Sequence, residues 1–408
     1  MSHLMPTYRP PQVRFVAGEG AWLIDDEGRR YLDLLSGIAV TSLGHAHPAV
    51  AAAVGAQAGR LLHVSNLFGN ELNEDVAATL DRLIGDGEPA GGKVFFCNSG
   101  AEANECAIKL ARKVGGHGRF AVVSAYGSFH GRTLATLHAT GQPHRHEAFA
   151  PLPEGFHHVA YGDVSALEAA CDPARVTAVL LEAIEGEGGV VEPPEGYLRQ
   201  VRRICDERGI LLMLDEVQTG LGRTGRWFAF QHEGVVPDVV TMAKALGNGV
   251  PVGACWARAA VADEFEPGDH GSTFGGQPLA LSAARAVLEV MQEIDAPALA
   301  ARAGGRLAAG LAGLPGVARV RGRGLLLGAV LEPGLDGAGI VAAALAAGVV
   351  LNNPVPGVLR FAPPLVISDG EVDHALEVLG GVLAGAVAAP AGVDAPAAAP
   401  GATPGAGR

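Results

Sequence analysis

Residues 210–220 read Ile-Leu-Leu-Met-Leu-Asp-Glu-Val-Gln-Thr-Gly, five apolar side chains without alternation, closed by an acid and a turn. A strand with one wet face alternates apolar and polar residues, whereas a run that is apolar on both faces belongs to a strand covered from both sides. The pattern recurs in KVFFC at 93–97, FAVVSA at 120–125, VTAVLLE at 176–182 and DVVTMAK at 238–244. Helical segments lie between several of these runs; RQVRRICDER at 199–208 stops at Gly209, as a helix C-terminus should. Such alternation specifies an α/β fold, a mostly parallel sheet with helices on both faces.

Outward from that sheet, AWLID and RRYLDL flank the turn Asp26-Glu27-Gly28 as an extended hairpin, followed by the turn GHAHP at 44–48. Toward the C-terminus an Ala-rich helical stretch begins near Leu279. It leads into the short strands VARVRG, GLLLGAVL and VLRF and a last helix from about Asp369, a smaller α+β unit. The Ala/Pro/Gly tail from about Ala388 is expected to be disordered.

Composition narrows the function. Thirty Lys and Arg against 43 Asp and Glu give a net charge of −13 over 408 residues, of which 49% are hydrophobic. That apolar content builds a large core and excludes a disordered scaffold. The chain has no clusters of Lys and Arg, which argues against a nucleic acid or an anionic membrane as the main partner. Cys97, Cys106, Cys171, Cys205 and Cys255 form no C-x-x-C pair, so a reducing compartment fits better than a disulfide framework or a zinc site. The opening MSHLMPTYRPPQVRF lacks the apolar core of a signal peptide, and the expectation is a cytoplasmic protein. The histidines at 144 and 146, and His157 and His158, lack Asp, Glu or Cys at ligand spacing; they read as loop residues, with no metal.

Three strand ends carry candidate chemistry. KVFFC runs into NSGAEANECAIKLARKV, where Ser99 and Glu102 have capping-box spacing and Ala103, Ala107, Leu110, Ala111 and Val114 make a helical stripe. This is either an ordinary capped helix or an anion site in which a phosphate approaches the N–H groups of Gly100 and Ala101. Asp215 ends the central strand at the edge where ligands of open α/β sheets collect, or else caps the next loop. Lys244 is either a surface lysine or a buried one whose lowered pKa suits Schiff-base chemistry. Residues 220–225 match G-x-G-x-x-G, but DEVQT separates them from the strand and no clear βα unit follows. A glycine-rich loop is therefore expected rather than a dinucleotide site. A phosphate-binding helix start, a strand-end acid and a strand-end lysine on one sheet together suit pyridoxal 5'-phosphate (PLP).

The motifs GIAVTSLGHAHP, CNSGAEANE, SFHGRT, EGEGGV, LDEVQTGLGRTG, PDVVTMAKALG, HGSTFGGQP and LRFAPPL span nearly the whole chain. They resemble the class III (omega-amino) branch of the fold type I aminotransferases, most closely its members acting on N2-acetyl-L-ornithine in arginine biosynthesis. The resemblance implies a large PLP-binding domain over 49–285. A small C-terminal α+β domain over 286–387 would be joined by the N-terminal segment 1–48, leaving the disordered tail 388–408. Lys244 would carry the cofactor and then move the substrate proton, and Asp215 would pair with the ring nitrogen. Ser99, Gly100 and Ala101 would face the phosphate, with Phe129, Glu216, Val217 and Gln218 around the ring. Thr273 would reach the phosphate of a neighbouring subunit and Ser272 its substrate entrance, which implies an obligate homodimer.

By the same resemblance Arg132 grips the distal carboxylate and Arg360 the carboxylate beside the reacting carbon. Glu187 would cover Arg360 when a terminal amine is bound, since a buried unpaired Arg is costly. Trp22 and Ile38 stand where ornithine-specific relatives tend to carry tyrosines, which favours an acylated α-amine. The implied reaction is N2-acetyl-L-ornithine plus 2-oxoglutarate giving N-acetyl-L-glutamate 5-semialdehyde and L-glutamate. Alternatives are a sister transaminase for succinylornithine, succinyl-diaminopimelate, ornithine or 4-aminobutyrate, or an aminomutase of the same fold. One departure is E-A-I-E-G-E where E-P-I-x-G-E is usual. It places Ala183 and Glu185 in the motif, and Glu185 is expected either to face solvent or to compete with Glu187 for Arg360.

Overall fold

The computed structural model describes residues 3–388. Three short strands open the chain, β1 (Phe15–Glu19), β2 (Trp22–Asp25) and β3 (Arg30–Asp33), antiparallel to one another and including the expected hairpin. The central sheet follows with β4 (Gly92–Cys97), β5 (Ala121–Ala125), β6 (Phe156–Val159), β7 (Val176–Glu182), β8 (Leu211–Asp215), β9 (Val239–Met242) and β10 (Gly253–Arg258). Their spatial order is β4-β10-β9-β8-β7-β5-β6. The block from β9 to β6 is parallel, while β10 runs antiparallel to both its neighbours. Every residue of β7 and β9 is buried, as their unbroken apolar runs require.

Two strands of this sheet, β6 and β10, were not expected. In β6 the four residues FHHV carry too little apolar pattern to announce an edge strand, so His157 and His158 lie on a strand rather than in a loop. His144 does lie in a connection, the turn Pro143–Arg145. Among the described residues no group of three or more His, Cys, Asp or Glu is placed to hold a metal ion.

The helix Gly100–Gly115 begins where Ser99 Oγ accepts the Glu102 N–H at 3.2 Å and buries Ala103, Ala107, Leu110 and Ala111 against the sheet. The helix Tyr197–Arg208 stops at Gly209, left-handed at φ +59°. The Ala-rich stretch is two helices, Pro278–Glu293 and Ala296–Ala312, broken at Asp295, whose carboxylate accepts the Ala298 N–H. Position 285 lies within the first of them.

The C-terminal part adds β11 (Val317–Arg323), β12 (Leu326–Leu331), β13 (Val349–Val350), β14 (Asn352–Val355) and β15 (Val358–Phe361). Four of these make the sheet β11-β12-β15-β14, whereas β13 pairs in parallel with β3, so both ends of the chain share the sheet β1-β2-β3-β13. The described residues close with the helix Asp369–Ala388. Ala388 is thus helical, and the rest of the expected disordered tail lies outside the described residues.

The G-x-G-x-x-G loop is a structural clamp. Its Arg223, 1% exposed, donates to Ser42 Oγ at 3.0 Å, to the Leu325 carbonyl at 3.1 Å and to the Pro363 carbonyl, and burial pulls its guanidinium down to about 9. The loop can fold around it because Gly222 and Gly225 adopt φ of +86° and +92°.

Gly92 opens β4 beneath the fully buried Trp256 of β10, where a Cβ would stand 2.2 Å from the indole. The Trp256 Nε1–H and the Gly92 N–H both donate at 2.8 Å to Asp81 Oδ1. Gly92→Ala is therefore expected to cost about 1–3 kcal/mol through overpacking. A lowered urea midpoint with red-shifted tryptophan emission would display it, and an unchanged midpoint would contradict this packing.

Candidate active site

The carboxyl ends of β4, β5, β7, β8 and β9 converge on one cavity. It holds about 1000 Å³ of empty space, its open mouth included, and is lined by Ser99, Gly100, Ala101, Phe129, Arg132, Glu187, Asp215, Val217, Gln218 and Lys244 among others. Gly100 is necessary to this geometry, because a Cβ there would meet Val217 Cγ1 at 2.8 Å. The helix start and the Asp215 loop touch only because the side chain is missing. The Glu102 carboxylate accepts the Asn98 N–H at 2.5 Å, one residue earlier than in a standard capping box.

Asp215 is 4% exposed and fully engaged. Its Oδ2 accepts from Asn104 Nδ2 at 2.7 Å and pairs with His130 Nδ1 at 2.8 Å, and its Oδ1 accepts the Val217 N–H at 3.0 Å. Thr241 Oγ1 donates to Asn104 Oδ1 at 2.8 Å and so orients that amide. Sequence reading missed Asn104, His130 and Thr241. The available signal was Asn104, a polar residue next to the buried stripe of an otherwise apolar helix face.

Lys244 follows β9 in a left-handed conformation, φ +46°, a strained setting for a residue with a side chain. Burial lowers its pKa, with the Glu187 carboxylate opposing and Arg360 reinforcing the shift. Phe129 is held by its N–H, which donates at 2.8 Å to Glu182 Oε1, another cavity residue that sequence reading missed. Burial, followed by the Asp215 charge, pushes the Glu182 carboxyl up to about 8.

Arg360, on β15, is wholly buried. Its Nη1 donates to Glu187 Oε1 at 2.5 Å and to Gln218 Oε1 at 3.2 Å, and its Nε to Asn352 Oδ1 at 3.1 Å. Nη2 is buried with no hydrogen-bond partner among the described residues. Burial works against ionisation of Glu187, yet the Arg360 charge and hydrogen bond, then Lys244, hold its carboxyl below the usual range. Glu185 fulfils neither expectation. It is 3% exposed, its Oε1 is buried without a partner, and it packs against Gly127 and Gly188 rather than against Arg360.

The remaining site residues stand apart from the cavity. The Glu216 side chain turns into its own loop, accepting from Thr219 Oγ1 at 2.5 Å and from the Phe230 N–H at 3.1 Å, and burial raises its carboxyl to about 7. Ser272 Oγ accepts from Asn98 Nδ2 and the Gly275 N–H in a separate depression, and Thr273 is exposed. Trp22 donates through Nε1 to Glu371 Oε1 at 2.7 Å, away from the cavity.

The model of the aminotransferase class-III family matches residues 5–383. The acetylornithine aminotransferase of Corynebacterium efficiens is 50% identical over 93% of this chain and 94% of its own. Among solved structures, the N-acetylornithine aminotransferase of Stenotrophomonas maltophilia is 38% identical, with a TM-score of 0.81 over 93% of this chain and 97% of its own. The ornithine aminotransferase of Toxoplasma gondii, with partial occupancy of PLP at its active site, is 35% identical, with a TM-score of 0.89 over 94% and 93%. The chain belongs to the class III aminotransferases, and it is a PLP-dependent enzyme of fold type I. The cavity fits that cofactor. It offers a desolvated amine at Lys244, an anchored carboxylate at Asp215, a helix start for the phosphate and apolar faces at Val217 and Phe129.

Glu185 yields a pH prediction. Burial raises its carboxyl from 4.5 to about 8, so the folded protein holds that proton more tightly than the unfolded chain. The resulting cost is absent at acid pH, grows as pH rises through this window and levels off above about 8. Glu185→Gln removes the titration, and its stability relative to the native chain should rise between pH 5 and pH 8 by on the order of 2–4 kcal/mol. A pH-independent difference in urea unfolding would refute the assignment.

Proposed function

We propose that the chain transaminates N2-acetyl-L-ornithine with 2-oxoglutarate, giving N-acetyl-L-glutamate 5-semialdehyde and L-glutamate in arginine biosynthesis. The observation that carries this reading is the buried Arg360–Glu187 pair at 2.5 Å. A terminal CH2-amine brings no carboxylate to the reacting carbon, and Glu187 then satisfies the guanidinium. Glutamate does bring one, which takes the Glu187 position and uses the free Nη2 as a second donor of the Arg fork.

The other groups have matching tasks. When bound, PLP supplies an aldehyde that exchanges for the amine and a ring that withdraws electrons from the substrate carbon. Asp215, locked by Asn104, His130 and the Val217 N–H, would present its carboxylate in one fixed position to the ring nitrogen. Lys244 Nζ, desolvated and below its usual pKa, takes and returns the proton of the substrate carbon. Arg132 receives the distal carboxylate. The acylated donor is favoured because the N-terminal hairpin contributes no polar side chain to the cavity; Trp22 is tied to Glu371.

We further read the enzyme as a cytoplasmic homodimer. No helix among the described residues is long and apolar enough to cross a membrane. Phe274, within the HGSTFGG segment, and Phe68 are 58% and 67% exposed and suit burial by a second copy, which would bring Ser272 and Thr273 to its cavity.

Mixing the PLP-loaded enzyme separately with N2-acetylornithine, ornithine, 4-aminobutyrate and glutamate, and following loss of its visible absorbance, tests the donor. Fast bleaching by N2-acetylornithine and glutamate with slow ornithine is expected; equal or faster ornithine or 4-aminobutyrate sinks the donor assignment. Glu187→Gln should lower kcat/KM for N2-acetylornithine by about ten- to a hundredfold while sparing glutamate, because it leaves Arg360 uncompensated only in the first case. Equal losses for both donors would remove Glu187 from the exchange.

A further inference from the structure

Two cations, Arg132 in the cavity lining and Arg145 tied to the loop before it, have no carboxylate of their own. Arg132 is exposed, with its guanidinium carbon 5.6 Å from the centre of the Phe129 ring, and Arg145 is half-buried. Among the described residues neither has an Asp or Glu within ion-pair distance. An arginine drawn partly out of water without a counter-charge is poised for an anion from outside.

Arg145 is also held in place. Its Nε donates to Gln142 Oε1 at 2.5 Å, and Gln142 Nε2 donates to the carbonyls of Ser128 at 3.1 Å and Gly127 at 3.4 Å, the residues directly before Phe129. The guanidinium is thereby tied to the loop that presents Phe129 and Arg132, and neither Nη nitrogen has a protein partner among the described residues. Burial, then repulsion from Arg132, draws Arg145 below its usual range, while Glu187 opposes the shift. Its charge is in turn one of those that hold the Glu187 carboxyl down. Arg145 therefore acts electrostatically on both Arg132 and Glu187, and its link through Gln142 holds it against the loop that carries Phe129 and Arg132. A single guanidinium fork engages only part of the acceptor capacity of a carboxylate, and a second can take the rest.

We propose that Arg145 is a specificity-determining residue which, together with Arg132, binds the substrate carboxylate remote from the reacting carbon. That group is the one beside the acetamido nitrogen in the amine donor and the side-chain carboxylate in glutamate. The first half rests on the proposed donor, whereas the second needs only a dicarboxylate.

The test uses full-length, PLP-loaded enzyme and the variants Arg145→Gln and Arg145→Lys. Glutarate, a five-carbon dicarboxylate with no group to react, and butyrate, its monocarboxylate counterpart, are titrated calorimetrically. In Arg145→Gln the Kd of glutarate should rise about tenfold relative to that of butyrate, and Arg145→Lys should recover part of the difference. In kinetics, KM should rise about tenfold more for glutamate than for alanine, and more for N2-acetylornithine than for N-acetylputrescine, which lacks the carboxylate. Equal changes for glutarate and butyrate, or for glutamate and alanine, would make Arg145 a structural residue and overturn the proposal. If the native enzyme rejects N2-acetylornithine, the donor assignment falls, and the glutarate and glutamate comparisons still decide the role of Arg145.

Discussion

Arg360 has no contact with water, and a buried guanidinium is costly without acceptors arranged around it. The arrangement draws on distant parts of the fold: Glu187 from the loop after β7, Gln218 from the loop after β8 and Asn352 from the neighbouring strand β14. The β12-β15-β14 ladder and the central sheet must therefore be assembled before this charge is tolerable. One donor nitrogen is still left over. A fully satisfied pair would be inert, whereas one with a spare donor and a displaceable carboxylate has a second stable arrangement available when a carboxylate enters.

Asp215 represents the opposite solution. Its neighbours occupy both oxygens and come from the helix Gly100–Gly115, the β5 exit loop and its own loop, so its side chain is fixed in position. The site thus combines an immobile carboxylate at Asp215 with a displaceable one at Glu187. Lys244 lies between them, desolvated enough to carry a proton in either direction.

The central sheet is legible in the sequence because strands buried on both faces must be apolar throughout, as VTAVLLE is. β10 and β6 are not, since GACWAR follows a Gly/Pro-rich turn and FHHV is half polar. Asp215 and Lys244 stand out as charges ending apolar runs. The residues that hold Asp215 do not: Asn104 and His130 are 111 and 85 positions away, and only tertiary packing brings them together. The direction of Glu185 is likewise set by tertiary structure, through its packing against Gly127 of the β5 exit loop, and no local pattern could have separated solvent from core there.

The pairing of β3 with β13 bears on how the chain is made. Leu32 and Leu34 donate their backbone N–H groups to Gly348 and Val350, which leave the ribosome almost a whole chain later. At about 5–20 residues per second the N-terminal hairpin waits roughly 15–60 s with one edge unpaired. During that interval it is a sticky strand in a crowded cell, and its shortness and the charges of Arg29, Arg30 and Asp33 at its ends serve the nascent chain as much as the finished enzyme.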